Sequence, residues 1–343
     1  MAAVGGLYGP EWKRYADPAT EWQVIRLTDP GFTAGMTAPH LHPFTRRSDF
    51  LLYSSERAGS RQAFLLNLKA GTSQQLTDAP ALDAATLSFG PDERSFFFFD
   101  GPVLRESSLA KLIPQEIHRV PEGFVRTGFS MATDGAAIFV ERGNGKSRIV
   151  SVVRQQSRKI AEVGEEIGEV MARPRHTQVL YRVGNDVWMV NRDGSGKRLL
   201  KTAPGQTGEV LWTPSGRTFT YLHIPDDPKE LITLREHAPD DGADTLIAKT
   251  SQFISAAPNG DASVFAGASR SMASAYVLIL LRVARRELTL CEHHASDPRM
   301  VQPVFSPDSR SVLFVSDRHG KPAIYLVSVA KFVEETTDQD APR

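Results

Sequence analysis

Two histidines stand close together near the start of the sequence, at His40 and His42 in the segment PHLHPF. On a β-strand, residues i and i+2 face the same side, so the two imidazoles could share a metal ion. A metal site needs further ligands nearby. The alternative is that one histidine caps a turn and the other packs against an aromatic ring.

A second set of polar residues recurs at equivalent places along the chain. Glu169, Glu209 and Gln302 each lie three residues before an apolar residue that is followed by a turn, and Arg126 and Gln252 lie near the same place in other repeats. These side chains could bind a cation or a polar ligand. They could also simply line a wet channel, because a solvated carboxylate costs little to keep. Arg126 could neutralise an anionic ligand or pair with a neighbouring acid.

A repeat that runs through the whole chain positions these residues. Its clearest copy, Pro303 to Val329, reads as a turn at Ser306-Pro307-Asp308, a strand, a turn around Gly320 and another strand. Aligned on the residue that anchors each turn, the copies are 45, 42, 41, 40, 44 and 49 residues apart. The seven anchors are Phe44, Phe89, Met131, Ala172, Trp212, Ala256 and Phe305. Such a period, with about four strands per copy, predicts a β-propeller.

The sequence therefore predicts an all-β, seven-bladed propeller as a single domain over residues 1–332, followed by a disordered acidic tail over 333–343. The seventh copy lacks a fourth strand. The segment Trp22 to Pro30 resembles Gln74 to Pro80, the fourth strand of the first copy. We expect this N-terminal strand to join the last blade and close the ring, which removes exposed sheet edges.

Two further stretches carry expectations about packing. The four consecutive phenylalanines Phe96 to Phe99 predict a strand buried between blades. The stretch from Leu104 to Val120 is the least regular of the repeats and could hold a short helix.

Composition excludes several classes of partner. Lys and Arg balance Asp and Glu at 40 each, which gives no reason to expect nucleic acid or an anionic membrane. The single cysteine, Cys291, allows no intrachain disulfide. The start of the chain lacks a basic segment followed by an apolar one, so we expect a cytoplasmic protein. The sequence has no glycine-rich phosphate loop, CxxC, HExxH or GxSxG motif.

With these residues in view, the sequence resembles the oligogalacturonide lyase family (pectate lyase family 22) and, more broadly, TolB-type and WD40-like propellers. The resemblance spans Leu7 to Val329, nearly the whole chain. It is carried by the following segments: Tyr8-Gly9-Pro10-Glu11, Tyr15-Ala16-Asp17, Val24 to Thr28, Asn191 to Gly196, Trp212-Thr213-Pro214, Phe305 to Asp308, and Lys321 to Val327.

The resemblance implies a seven-bladed enzyme that cleaves short pectin fragments by β-elimination with a manganese-type ion held by histidines. An ion or an arginine neutralises the uronate carboxylate, and a base removes the neighbouring carbon-bound proton. This sequence departs from that pattern at the expected histidines. The histidine expected to act as the base is replaced by Glu169, and another expected histidine is replaced by Glu209. The one expected in the sixth repeat falls near Gln252, and the last expected pair falls within Met300-Val301-Gln302.

If the chain is active, the resemblance assigns the base to Glu169, a cation to Glu209 with Gln302, and the substrate carboxylate to Arg126. His40, His42 and Gln252 would contact ligand in the channel. The partner is then a small anionic oligosaccharide, with manganese or with no ion. Because the imidazoles are replaced and a wide channel is wet, we expect no large upward shift in the pKa of Glu169 and little or no elimination. The alternative is a non-catalytic TolB-like propeller that binds a ligand or a protein in its channel.

Overall fold

The computed structural model describes residues 4–41 and 43–332. His42 and residues 333–343 lie outside the described residues, so the predictions about them stay predictions. Residues 7–75 contribute the strands β1 (Leu7–Tyr8), β2 (Lys13–Ala16), β3 (Gln23–Arg26), β4 (Ala34–Gly35), β5 (Phe50–Ser55), β6 (Gln62–Asn67) and β7 (Ser73–Gln75).

Residues 82–292 form five consecutive four-stranded antiparallel sheets, in which the strands lie side by side in chain order. The first two contain β8 (Leu82–Phe89), β9 (Ser95–Asp100), β10 (Val103–Ser108) and β11 (Pro114–Arg119), then β12 (Val125–Met131), β13 (Ala137–Gly143), β14 (Lys146–Val153) and β15 (Gln156–Val163). The third and fourth contain β16 (Ile167–Ala172), β17 (Gln178–Val183), β18 (Asp186–Asn191) and β19 (Arg198–Leu200), then β20 (Gln206–Trp212), β21 (Phe219–Ile224), β22 (Thr233–Ala238) and β23 (Ala243–Lys249).

The fifth of these sheets contains β24 (Phe253–Pro258), β25 (Val264–Ser269), β26 (Tyr276–Leu281) and β27 (Arg286–Glu292). The last strands are β28 (Val304–Phe305), β29 (Ser311–Ser316) and β30 (Ala323–Ser328). Among the described residues the helical elements are two 3₁₀ turns, Met272–Ser274 and Pro298–Met300. None of the helices in that part of the chain is long or apolar enough to cross a membrane.

The ring is closed by the N-terminal segment, as predicted. The last sheet has the order β2-β3-β30-β29-β28, and Val24 pairs with Val327 in its ladder. The backbone N–H of Leu27 continues the pairing by donating to the carbonyl of Ile324 at 2.8 Å. The first sheet is also extended, because β1 pairs with β7 in the order β1-β7-β6-β5-β4. The seven sheets form the blades of a β-propeller, which confirms the predicted fold class.

The four phenylalanines of β9 lie between blades, as expected. Phe96 and Phe98 belong to an apolar cluster shared with the first blade, whereas Phe97 and Phe99 belong to one shared with the third. The alternation follows from the strand, in which successive side chains point to opposite faces. The suggestion of a short helix within Leu104 to Val120 is wrong, because this stretch forms β10 and β11 with a bulge after Leu104.

Candidate functional site

The innermost strand of most blades carries an irregularity at the predicted site positions. The antiparallel register shifts between Thr127 and Phe129 in β12, between Ile167 and Val170 in β16, and between Thr207 and Val210 in β20. A β-bulge leaves residues outside the ladder and redirects their side chains, and such bulges are common beside active sites. The residues left out of the ladder are Gly128, Gly168, Glu169, Gly208 and Glu209. Alignment of the repeats therefore identified these positions, although the sequence did not show that the strands bulge there.

Glu209 is held at the bulge of β20 by the neighbouring blade. Its Oε2 accepts a hydrogen bond from the backbone N–H of Ala256 at 2.7 Å. Burial raises the pKa of the Glu209 carboxyl to about 7, and the charge of Glu169 adds to this effect. Glu209 is partly buried, so its carboxyl is less exposed to water than the wide, wet channel suggested by the sequence would make it. Near neutral pH this carboxyl exists in both its protonated and its ionised form.

Glu169, on the bulge of β16, lies in a different environment. About half of its side chain is exposed, and its Oε2 lies 3.6 Å from Nη1 of Arg182. The same guanidinium donates to the carbonyls of Thr207 and Gly208 at 2.7 and 2.9 Å. Arg182 therefore connects Glu169 to the bulge that carries Glu209, and it holds the two bulges of adjacent blades in one arrangement.

Gln302 lies just before β28, with a backbone φ of 35° and an exposed side chain. It lines a cavity of about 610 Å³ at the end of the ring where the innermost strands begin. Met300, Asp83 and Arg61 line the same cavity. Arg61 is half exposed and pairs with Glu56 at 3.0 Å, so its charge is accessible to a ligand.

Arg126 does not face the channel as an unpaired cation. Its guanidinium forms an ion pair with Asp83 of the preceding blade and donates to the carbonyl of Gly128 at 3.1 Å. It also lies 4.7 Å from the centre of the Phe99 ring. Of the two roles left open by the sequence, pairing with a neighbouring acid is the one that this geometry supports.

The strand placement assumed for the histidine pair is wrong at His40. His40 lies in a turn, in which the backbone N–H of Leu41 donates to the carbonyl of Ala38 at 3.0 Å. Its Nε2 donates to the carbonyl of Phe129 at 2.7 Å, and burial lowers the pKa of the imidazole. A neutral histidine committed to a backbone carbonyl through Nε2 joins the first blade to the third.

Gln252 lies away from the other candidate residues. It precedes β24, has a φ of 64° and is exposed. It lines a separate cleft with Ser251 and Glu287, which are joined by a hydrogen bond. Gln252 and Glu209 therefore line no common cavity, and the bulge in the first strand of this blade falls at Ile254 instead.

The chemistry of these donors does not fit the ion that the resemblance implies. Within residues 4–41 and 43–332, no three His, Cys, Asp or Glu side chains converge closely enough to hold a metal ion. One oxygen of Glu209 already accepts from a backbone amide, and Nε2 of His40 already donates to a carbonyl. Gln302 lines a cavity whose lining residues do not include Glu209.

The opposite end of the channel is apolar. A cavity of about 670 Å³ is lined by residues from all seven blades, including Phe44, Phe89 and Trp212 from the predicted anchors. Arg173 lies at its edge with a side chain that is 1% exposed. Its guanidinium binds both carboxylate oxygens of Asp240, at 2.7 and 2.5 Å. The buried charge is thus compensated within the protein.

Sequence reasoning missed Arg182 and Asp83, which contact the predicted residues Glu169 and Arg126, and it also missed the pair of Arg173 with Asp240. Arg182 continues the strand run that begins at Val179, and nothing in the pattern shows that its side chain reaches the next blade. Asp83 lies 43 residues before Arg126, close to one repeat length. That spacing is the signal by which a pair between equivalent strands of adjacent blades could have been found.

Comparison with known proteins agrees with this architecture. No family model matches the chain. The oligogalacturonide lyase of Pectobacterium atrosepticum is 23% identical, with 92% of this chain and 95% of that protein covered. A solved structure of an oligogalacturonate lyase in complex with manganese has a TM-score of 0.90 and 22% identity, covering 96% of this chain and 98% of that chain.

A second solved structure, the oligogalacturonate lyase of Vibrio parahaemolyticus, has a TM-score of 0.89 and 23% identity, covering 95% of this chain and 99% of that chain. The resemblance to oligogalacturonide lyases is thereby confirmed over nearly the whole length of the chain. Because the identities are low, the likeness to solved structures establishes the seven-bladed fold, and the chemistry of this chain has to be argued from its own residues.

Proposed function

We propose that this propeller binds short uronic-acid oligosaccharides in its channel and performs little or no manganese-dependent β-elimination. The observation that carries the proposal is the likeness to oligogalacturonide lyases, which extends around the complete ring rather than over a few blades. Ligand sites in closed β folds lie where the strands open onto a cavity, and here that cavity has both polar residues and an accessible cation.

The polar cavity offers a specific contact for a uronate carboxylate. Arg61 lines it with a half-exposed side chain, and its partner Glu56 is also exposed, so a ligand carboxylate can compete for the guanidinium. An arginine binds a carboxylate through two parallel hydrogen bonds. Gln302 can add a donor and an acceptor for sugar hydroxyls.

The candidate site residues do not support manganese-dependent elimination. The ion of such an enzyme neutralises the substrate carboxylate and thereby makes the neighbouring C–H acidic. Among the described residues the required cluster of ligands is missing, and the guanidinium of Arg126 is occupied by Asp83. The conditions for removing a carbon-bound proton are therefore poor.

Calorimetric titration of saturated digalacturonate and trigalacturonate tests the binding. We expect one site per chain, weakened several-fold in Arg61→Ala and unchanged in Arg119→Ala. Arg119 is a matched control, because it also forms an exposed pair, with Glu116. Absence of heat at millimolar ligand would contradict the binding proposal.

Ultraviolet absorbance of the C4–C5 double bond tests the elimination. We expect no increase in absorbance above the enzyme-free rate, with or without added manganese. A manganese-dependent turnover of about 1 per second, ordinary for an enzyme, would show that the chain is a working lyase.

One observation favours a second candidate, a non-catalytic propeller that binds another ligand or a protein in its channel. The apolar cavity of about 670 Å³ falls within the size range of small-molecule sites, roughly 300–1,000 Å³. Under this alternative, digalacturonate gives no heat in the titration, whereas an apolar ligand does.

A further inference from the structure

Gln252, which the sequence predicts to contact a ligand, lines a cleft of about 890 Å³ at the junction of the fifth and sixth blades. The cleft lies between the end of β23, the loop that leads into β24, the 3₁₀ turn Met272–Ser274 and the turn that leads into β27. Its volume is in the range of small-molecule sites, roughly 300–1,000 Å³. The binding of short oligosaccharides proposed for the polar cavity does not involve this cleft.

Positive charge is concentrated in this cleft. Lys249, Arg285 and Arg286 line it, and all three residues are exposed. Among the described residues, none of these three cations has a carboxylate within ion-pair distance. The chain as a whole balances 40 basic side chains against 40 acidic ones, so the local excess does not follow from an overall basic composition.

The carboxylate of Glu287, which also lines the cleft, is already hydrogen-bonded within the protein. It accepts hydrogen bonds from the backbone N–H of Ser251 at 2.8 Å and from the hydroxyl of the same residue. Glu236, a carboxylate on β22, is paired with Arg282. The three cations of the cleft are therefore available to pair with an anion from outside the protein.

Neutral polar groups in the same cleft suit a sugar better than a simple anion. Gln252, Ser271 and Ser274 line it, and their side chains have no hydrogen-bond partner among the described residues. A side-chain amide and a hydroxyl each donate and accept hydrogen bonds, whereas a fully ionised carboxylate or phosphate only accepts them. Sugar hydroxyls use both capacities. The mixed lining therefore favours a ligand that carries carboxylates on a hydroxyl-rich framework.

We propose that this cleft is a second binding site, separate from the channel, for longer chains of uronic acids. The inference rests on the proposed function for the class of its ligand and adds a site to it. Carboxylates of the sugar units pair with Lys249, Arg285 and Arg286, and sugar hydroxyls bond to Gln252 and the two serines. Each arginine can hold a carboxylate through two parallel hydrogen bonds.

The exposure of these charges makes binding depend on the length of the ligand. One exposed ion pair changes an association constant by only about 1.4-fold to fivefold. A disaccharide offers two carboxylates and gains little from them, whereas a hexasaccharide can engage all three cations with one molecule. We therefore expect hexagalacturonate to bind the cleft and digalacturonate to bind it too weakly to measure.

Fluorescence anisotropy of hexagalacturonate labelled at its reducing end measures this binding at about 0.15 M ionic strength. The starting protein is Arg61→Ala, because this substitution weakens the polar cavity of the channel. We expect the combined variant Lys249→Ala, Arg285→Ala and Arg286→Ala in that background to bind the hexasaccharide about tenfold or more weakly, since it removes three ion pairs.

A matched control separates the site from general attraction between opposite charges. Arg47, Lys111 and Arg154 are exposed, lie in the first three blades and, within the described part of the chain, have no partner for their side chains. Replacing these three with alanine changes the net charge by the same amount and should leave the affinity unchanged. Circular dichroism shows whether each variant keeps the fold. Equal weakening by both sets would overturn the assignment of the cleft.

Two competing ligands test what the cleft recognises. Methyl-esterified hexagalacturonate keeps the sugar framework without the charges, and we expect it not to compete. Tripolyphosphate supplies charges without sugar hydroxyls, and we expect it to compete much more weakly at an equal concentration of charge. Gln252→Ala should weaken the binding of hexagalacturonate several-fold and leave that of tripolyphosphate unchanged. If tripolyphosphate competes as well as hexagalacturonate does, the cleft is a site for phosphate-type anions and the assignment to uronates is wrong.

The outcomes separate this inference from the proposed function. If digalacturonate binds in the titration but the cleft variant binds hexagalacturonate as well as its Arg61→Ala parent does, the second site is wrong and the proposed function stands. If digalacturonate gives no heat but hexagalacturonate binding depends on the cleft residues, the proposed function fails and the second site stands. Absence of any hexagalacturonate binding to the Arg61→Ala protein would also overturn the second site.

Discussion

Replacing Glu209 with glutamine measures how strongly the channel wall disfavours a charge at this position. Glutamine has nearly the same shape, and its side-chain oxygen can still accept from the amide of Ala256, which lies 2.7 Å from Oε2 in the wild type. The variant therefore removes the ability to ionise while retaining the packing and the hydrogen bond. The difference in unfolding free energy between the two proteins then reports on the charge alone.

The size of the effect follows from the pKa. The carboxyl titrates at 4.5 as an ordinary glutamate and at about 7 in the folded protein. At about 1.4 kcal/mol per pH unit, this difference corresponds to roughly 3 kcal/mol between the protonated and ionised forms. Below pH 4.5 both folded and unfolded chains carry the proton, so Glu209 contributes its full stability there.

As the pH rises from 4.5 to 7, the unfolded chain releases this proton and the folded chain keeps it. Stability falls wherever the folded state binds more protons, so the wild type loses about 3 kcal/mol relative to Glu209→Gln over this window. Above pH 7 the difference is constant. Neutralising the neighbour in Glu169→Gln should lower the pKa of Glu209 and shrink the effect, because the charge of Glu169 contributes to the shift.

Urea unfolding at pH 5, 6, 7 and 8 provides the assay. We expect Glu209→Gln to become progressively more stable than the wild type up to pH 7 to 8. The exposed control Glu166→Gln should differ from the wild type by a constant amount. If the free-energy difference between wild type and Glu209→Gln is the same at pH 5 and pH 8, Glu209 is solvated and the argument that burial raises its pKa is refuted.

Three further predictions concern the ring and its ions. Deleting residues up to Pro30 should unpair β30 and sharply lower the melting temperature, whereas truncation after Phe332 should leave it nearly unchanged; equal melting of both would contradict closure. Asp83→Asn should cost about 1–3 kcal/mol in urea unfolding, because it leaves the mostly buried Arg126 without its counter-charge, and a neutral result would argue against the pair. Manganese at 1 mM, about a hundred times a 10 μM dissociation constant, should leave the melting temperature unchanged, since bound ion would add about 2.7 kcal/mol.

The seven-bladed ring and its closure could be predicted from the sequence because they depend on local, repeated signals. Turn residues recur every 40 to 49 residues, and the alternation of apolar side chains defines the strands between them. The last copy lacks a fourth strand, and a segment that matches such a strand begins at Trp22. The sequence therefore predicted that this segment completes the last blade, and the pairing of Val24 with Val327 confirms it. The run Phe96 to Phe99 could likewise be placed, because a strand that is apolar on both faces must be covered on both.

The contacts of individual polar side chains could not be predicted in this way. Arg126 and Asp83 meet because equivalent strands of adjacent blades come together, and Arg182 contacts both Glu169 in its own blade and the bulge of β20 in the next. Such contacts depend on the angle between blades, which no local pattern contains.

The sequence by itself determined the architecture and the positions along the innermost strands at which candidate functional side chains occur. Only the tertiary structure decided their environments. Glu169 and Glu209 occupy equivalent positions in the repeat, yet one is half exposed beside an arginine and the other is partly buried against Ala256. The protonation state of a carboxyl depends on how much water and which charges surround it in three dimensions. Residue type and spacing therefore identified the pair, and the packing of neighbouring blades made its two members chemically different.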